Sequence, residues 1–285
     1  MGVKFARISM LFALVLVLNG CAVKFVYNQL DWLIPWYLDD YMEMEGDQEA
    51  LFENRLQAYL AWHRSTQLPL YADFLEDVAT RAEKQLNEQD IQFIQTQTET
   101  LADAMIRRLI PDMVDVFATA SDEQIAELFE KFEDDNATFR KDYIEAGEEV
   151  QRKQRQKEVL RYAQRWTGKL SKSQVALVKE WSEKFELMGQ ELQDSRMVWQ
   201  EEFSRVLSMR KGDPGYAKAF EKLVLNPGFG RTDVLQTKLD RNADLLIQLY
   251  KALDESLSDK QRKRMVQKLR NYAEDFQQLS GQNEP

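Results

Sequence analysis

The chain contains one histidine, His63, and one cysteine, Cys21, among 285 residues, and these two limit its chemistry. A Cys/His zinc site needs several such ligands and a redox pair needs two thiols, so neither can be built. A Ser-His-Asp triad would have to run through His63. That residue stands in Trp62-His63-Arg64 near the expected end of a helix, where a capping or surface role suits it better than general-base chemistry. Carboxylates are the remaining resource. Glycoside hydrolysis needs two placed carboxyl groups and no histidine, and 48 Asp and Glu residues supply the material. The adjacent Asp39-Asp40 pair is poorly suited, because neighbours on a helix point about 100° apart. No local motif marks a carboxylate site, and no metal or organic cofactor is expected.

Cys21 invites a different chemistry, that of lipid attachment. Lys4 and Arg7 form a basic start, and Ile8–Leu18 is apolar but for Ser9, too short to span a bilayer. Leu18-Asn19-Gly20-Cys21 follows and resembles the bacterial lipobox, in which the cysteine is acylated and becomes the mature N-terminus; Asn19 departs from the usual small residue. On that reading residues 1–20 are a signal peptide, and Cys21 carries the palmitate and other acyl chains of a lipoprotein. An uncleaved anchor, or a secreted protein with a stray thiol, is the alternative. Ala22 stands where Asp favours inner-membrane retention in lipoproteins generally, so the resemblance implies the periplasmic face of the outer membrane.

Charge is unevenly distributed. The whole chain carries −10; residues 21–150 hold 10 basic and 29 acidic side chains, a net of −19, and residues 151–285 hold 26 and 19, a net of +7. Such asymmetry signals either a polyanion partner or two halves that pack against each other. Nucleic acid is not expected outside the cytoplasm, which leaves anionic lipid, lipopolysaccharide or an acidic protein client.

The elements that must position these residues are helices. Apolar residues recur at helical spacing throughout, and no segment alternates as a strand. The expectation is an all-α fold: an elongated bundle of about eight helices with long antiparallel hairpins. The helices fall near 24–43, 47–65, 69–85, 87–118 with an interruption at Pro111, 121–168 with a break near Gly147, 171–210, 214–225, 231–256 and 258–279, the count becoming nine if 214–225 is independent. Val175, Val178, Trp181, Phe185, Met188, Leu192, Trp199 and Phe203 describe one long amphipathic helix. Ser171-Lys172-Ser173-Gln174, Ser258-Asp259-Lys260-Gln261 and Ser121-Asp122-Glu123-Gln124 are capping boxes that start helices, with degenerate copies at 86–90 and 44–48.

Directly behind Cys21 lies the least ordinary segment. Phe25, Tyr27, Trp32, Trp36, Tyr37 and Tyr41 crowd a stretch with no Gly/Ser tether. The division expected is a juxtamembrane segment over 21–46 and a helical domain over 47–285. Three readings of the aromatic block compete: a helix buried in the core, a face resting on the membrane, and a docking surface for a partner.

The block Tyr27-Asn28-x-Leu30-Asp31-Trp32-Leu33-x-x-Trp36-Tyr37-Leu38-Asp39-Asp40-Tyr41 resembles an uncharacterised family of Gram-negative envelope lipoproteins, a domain of unknown function. Tyr59-Leu60-x-Trp62-His63-Arg64, Leu68-Pro69-x-Tyr71, Ser121–Gln124 and Tyr272–Phe276 extend the resemblance over nearly the whole mature chain. It implies a helical lipoprotein and brings no activity. The Leu-Ser-x-x-Gln copies are also similar to the Leu-Thr-x-x-Gln boxes of Spy-like periplasmic chaperones. Two functions follow as expectations: a non-enzymatic, lipid-anchored module that binds an envelope protein partner or the membrane surface, or a carboxylate-dependent enzyme acting on peptidoglycan or glycans. Tyr27, Trp32, Trp36, Tyr37 and Tyr41 are the expected contact residues of the first.

Overall fold

The computed structural model describes residues 20–282. The expected leader, except for Gly20, lies outside them, and nothing of the Cys21 side chain is described. Among the described residues the elements are helical and no strand occurs. In order they are α1 (Gly20–Tyr27), α2 (Leu30–Asp39), α3 (Asp47–Trp62), α4 (Leu68–Ala82), α5 (Glu88–Thr119), α6 (Asp122–Arg140), α7 (Glu148–Thr167), α8 (Lys172–Lys184), α9 (Gly189–Ser208), α10 (Tyr216–Val224), α11 (Asp233–Glu255) and α12 (Asp259–Ser280). A π-turn over His63–Gln67 joins α3 to α4 without a break, and a second, Lys141–Glu145, extends α6. Counted as continuous rods, these make eleven helices among the described residues.

The expected count of about eight is therefore corrected by breaks that lack strong sequence signals. The first falls between α1 and α2, at Asn28-Gln29, inside the expected 24–43 helix. The second divides the expected 171–210 helix at Phe185–Met188. There is no proline there, and the backbone is held by tertiary partners instead. Asn242 on α11 accepts from Glu186 N–H and donates to its carbonyl, both at 2.9 Å. Arg152 donates to the Ser182 and Phe185 carbonyls, and Lys238 to that of Leu187. Groups that a helix would have paired within itself are thus satisfied from outside it. Conversely, Pro111 does not interrupt α5. It removes one helical hydrogen bond, but at an exposed position where water can serve the freed carbonyl.

All three good capping boxes form, with reciprocal bonds between Ser171 and Gln174, Ser258 and Gln261, and Ser121 and Gln124. Asn87 and Asp90 make a fourth at the start of α5. The boxes also pair in space. Gln174 and Gln261 donate to each other's amide oxygens at 3.1 and 2.9 Å. Each also reaches the carbonyl two residues ahead of the other's serine: Gln174 to Ser256 O, Gln261 to Lys169 O. Gln124 makes half of the same pattern with the degenerate copy, donating to Gln48 Oε1 at 2.7 Å and Glu43 O at 2.6 Å.

The broadest helix contact joins sequence-distant elements, α4 and α12, which run antiparallel: Tyr71 packs on Phe276 and Arg270 pairs with Glu76. Val23 and Tyr27 of α1 fill a core with Leu68, Tyr71, Tyr272, Phe276 and Leu279. A second core, from α5, α6, α9 and α10, gathers Phe132, Phe203 and Phe220; a third joins α8 and α11 through Val178, Trp181, Leu235 and Leu249. The unequal halves meet at several ion pairs, among them Lys211–Asp122 and Arg270–Glu83.

Candidate functional site

The aromatic block divides into residues that hold the body and residues that face outward. Tyr27 ends α1 with its ring buried and its hydroxyl 2.9 Å from His63 Nδ1. His63 is buried too, which corrects the expected surface or capping role. The π-turn carries α3 straight into α4, so there is no helix end for His63 to cap, and its ring lies among Tyr27, Tyr59, Trp62 and Tyr71. Burial, aided by the neighbouring Arg64 charge, lowers its pKa to about 4, and burial raises the pKa values of Tyr27, Tyr59 and Tyr71. The cluster is therefore neutral near pH 7.

Arg64 closes the arrangement from outside. Its guanidinium lies 5.0 Å from the Tyr27 ring centroid and donates to Asn28 Oδ1 at 3.1 Å. Lys24 pairs with Asp275 at 3.2 Å and donates to Gln278. So α1 is fastened along one side to α12 and at its C-terminal end to the π-turn.

At the far end of the block, Tyr41 donates to Asp135 on α6 at 3.2 Å and lies 3.3 Å from the Tyr37 hydroxyl. Met42 and Met44 enter a core with Val116 and Ala120. Between these two fastenings stands α2, a ten-residue helix with no buried residue. Trp32 and Trp36 lie one turn apart on it, 61% and 62% exposed, with rings stacked at 6.2 Å and only 11° between planes. Phe25 on α1 is 69% exposed. The buried-helix reading is thus corrected for the two tryptophans, while Tyr27 is core and Tyr37 and Tyr41 are half-buried. On α2, Leu33, Ile34, Pro35, Tyr37 and Leu38 are half-buried, whereas Trp32 and Trp36 stand on the exposed side.

Residues 40–229 match a family of unknown function, DUF6279. The chain belongs to that family. The DUF6279 match begins at Asp40, so most of the aromatic block lies before it, and Tyr272–Phe276 lies after it. Neither the curated proteins nor the solved structures yield a match.

The Tyr27–His63 lock escaped the sequence reading, although a signal for it was present: Tyr59, Trp62 and His63 fall on one helical stripe. Among the described residues, no group of three or more His, Cys, Asp or Glu side chains is placed to hold a metal ion, and no helix is long and apolar enough to cross a membrane.

Proposed function

We propose that this chain is a lipid-anchored protein of the periplasmic face of the outer membrane, acylated at Cys21, that acts as a non-enzymatic module at the membrane surface. In this reading α1 and α2 set the body against the bilayer, with Phe25, Trp32 and Trp36 at the interface. One observation carries it: two large aromatic side chains are stacked in the open, on a helix fastened at both ends, within fifteen residues of Cys21. Indole rings favour a boundary that is apolar on one side and wet on the other. Asp31, Asp39 and Asp40 are exposed on or beside α2 and keep its polar edge in water.

The enzyme alternative draws less support. A glycosidase needs one carboxyl group held protonated by its surroundings. Among the described residues, every carboxyl group whose pKa clearly departs from its ordinary value is pushed down, by Arg or Lys partners or by backbone N–H groups, as at Asp90, Asp122 and Glu202.

A photoreactive residue at position 36, activated in intact envelopes, tests the reading. Adducts with lipid are expected. Adducts with one protein and none with lipid would replace the membrane by a partner.

A further inference from the structure

The turn from α1 to α2 meets the end of α3 and the first π-turn around a cleft of about 100 Å³. Tyr27, Asn28 and Asp31 line it from the first, and Gln57, Leu60 and Arg64 from the second. Sites for drug-sized ligands run to roughly 300–1,000 Å³, so this cleft suits a small group. It is lined by one full positive charge and one full negative charge, and the two do not pair with each other. Among the described residues, neither Arg64 nor Asp31 has an opposite charge within ion-pair distance.

Arg64 is held in place by neutral groups alone. It donates to Asn28 Oδ1 at 3.1 Å and, over longer distances, to the Leu279 carbonyl at 3.4 Å and Gln282 Oε1 at 3.5 Å. Its guanidinium also lies 5.0 Å from the Tyr27 ring centroid. These contacts fix the group and leave its charge without an anion, with N–H donors to spare. Asp31 is exposed, and among the described residues its carboxylate accepts only the Trp32 backbone N–H, at 2.9 Å. A cation and a carboxylate that line one small cleft, each held apart from the other, suit a ligand that carries both signs.

We infer that this cleft takes the phosphoethanolamine headgroup of a membrane phospholipid, with the phosphate on Arg64 and the ammonium on Asp31. The inference rests on the proposed membrane attachment and adds the lipid it selects. Arginine offers the planar fork that suits phosphate oxygens. A primary ammonium has N–H donors for the Asp31 carboxylate and the Gln57 amide oxygen. Half-buried Leu60 gives an apolar wall to the carbons between phosphate and nitrogen. Phosphatidylcholine brings a cation that cannot donate a hydrogen bond, and phosphatidylglycerol brings no cation. Place decides for a lipid over a free zwitterion: Trp32 directly follows Asp31 and is 61% exposed, and interfacial tryptophans sit at headgroup level.

The test uses the full chain, reconstituted in vesicles of equal phosphatidylethanolamine, phosphatidylglycerol and phosphatidylcholine, then extracted gently and assayed for retained lipid by mass spectrometry. The wild type should retain phosphatidylethanolamine in preference to both others. Asp31→Asn keeps an acceptor for the Trp32 N–H, so the fold should stand, and it should cut that preference by about tenfold. Arg64→Gln should lower retention of all three phospholipids. Asp39→Asn, an equal charge change at the other end of α2, should leave retention as it is. Equal retention of the three lipids by the wild type, or an equal loss of preference in the Asp39 variant, would overturn the inference. Complete displacement of the lipid by an equimolar amount of soluble glycerophosphoethanolamine would reassign the cleft to a free zwitterion and overturn it as well. Lipid contact by Trp32 and Trp36 is read separately, by fluorescence quenching. Quenching without a phosphatidylethanolamine preference sinks the headgroup site alone, whereas absent quenching sinks the membrane-resting face.

Discussion

The Tyr27 hydroxyl and His63 Nδ1 lie 2.9 Å apart in a buried contact, and this bond joins the first described helix to the π-turn between α3 and α4. It is a contact between neutral groups. His63 is 7% exposed, and burial with the Arg64 charge holds its pKa at about 4, below the ordinary 6.5. The unfolded chain therefore takes up a proton at His63 before the folded one does. The stability this neutral histidine provides is complete above about pH 6.5 and is lost progressively as pH falls toward 4. Thermal unfolding followed across that window should show a loss of roughly 3 kcal/mol assignable to this group. His63→Gln should flatten the slope between pH 6.5 and 5, above the range where most carboxylates titrate. A variant with the wild-type slope would show that His63 is not buried neutral.

Gln174 and Gln261 close two capping boxes and also hold each other. Each single change to Ala should cost about 1–2 kcal/mol, since it opens a box and takes a partner from the other glutamine's amide, which is fully buried at Gln174 and half-buried at Gln261. The double variant should cost less than the sum, by about 0.5 kcal/mol or more, because the partner is already gone. Strict additivity in denaturant melts would mean the two boxes act independently.

Gly189 begins α9 where that helix meets the second π-turn. A Cβ added there would fall 2.0 Å from the Tyr143 carbonyl oxygen, which is backbone and cannot swing aside. Gly189→Ala should destabilise by about 3 kcal/mol. Gly147→Ala, with nothing within 4 Å, should stay within about 1 kcal/mol. Comparable melting of the two variants would contradict the close approach.

Cys21→Ser, expressed in a Gram-negative host fed labelled palmitate, should incorporate none and should remain unprocessed. Labelling that persists in the variant would place the lipid elsewhere.

Much of the fold was legible where local chemistry governs. Ser, Asn or Gln at a helix start satisfies backbone donors within four residues, so the boxes at 121, 171 and 258 declared themselves. The break at Phe185–Met188 did not, because its cause lies in Asn242, Arg152 and Lys238, which are remote in sequence. The π-turn at His63–Gln67 was hidden for a similar reason. It keeps the chain helical from α3 into α4 across the expected gap, so a histidine placed at an expected helix end lies inside a continuous rod and faces the core. In the aromatic block, composition revealed an unusual segment but not which rings face outward. Tyr27 and Trp32 are five residues apart and have opposite fates, separated by the turn at Asn28-Gln29, after which the helix buries no residue fully and leaves its two tryptophans exposed. The pairing of the boxes across the fold depended on tertiary structure alone.

The proposed function turns on whether Trp32 and Trp36 rest in the membrane interface. The most direct measurement is tryptophan fluorescence of the reconstituted, acylated chain in vesicles whose phospholipids are brominated high on the acyl chains. Trp181 is buried in the core, and Trp62, Trp166 and Trp199 are half-buried in the body, so quenching by lipid should come from the α2 pair. Strong quenching is expected in the wild type, with most of it lost in W32F/W36F and retained in W181F. Quenching that is absent, or unchanged when both α2 tryptophans are replaced, would contradict it.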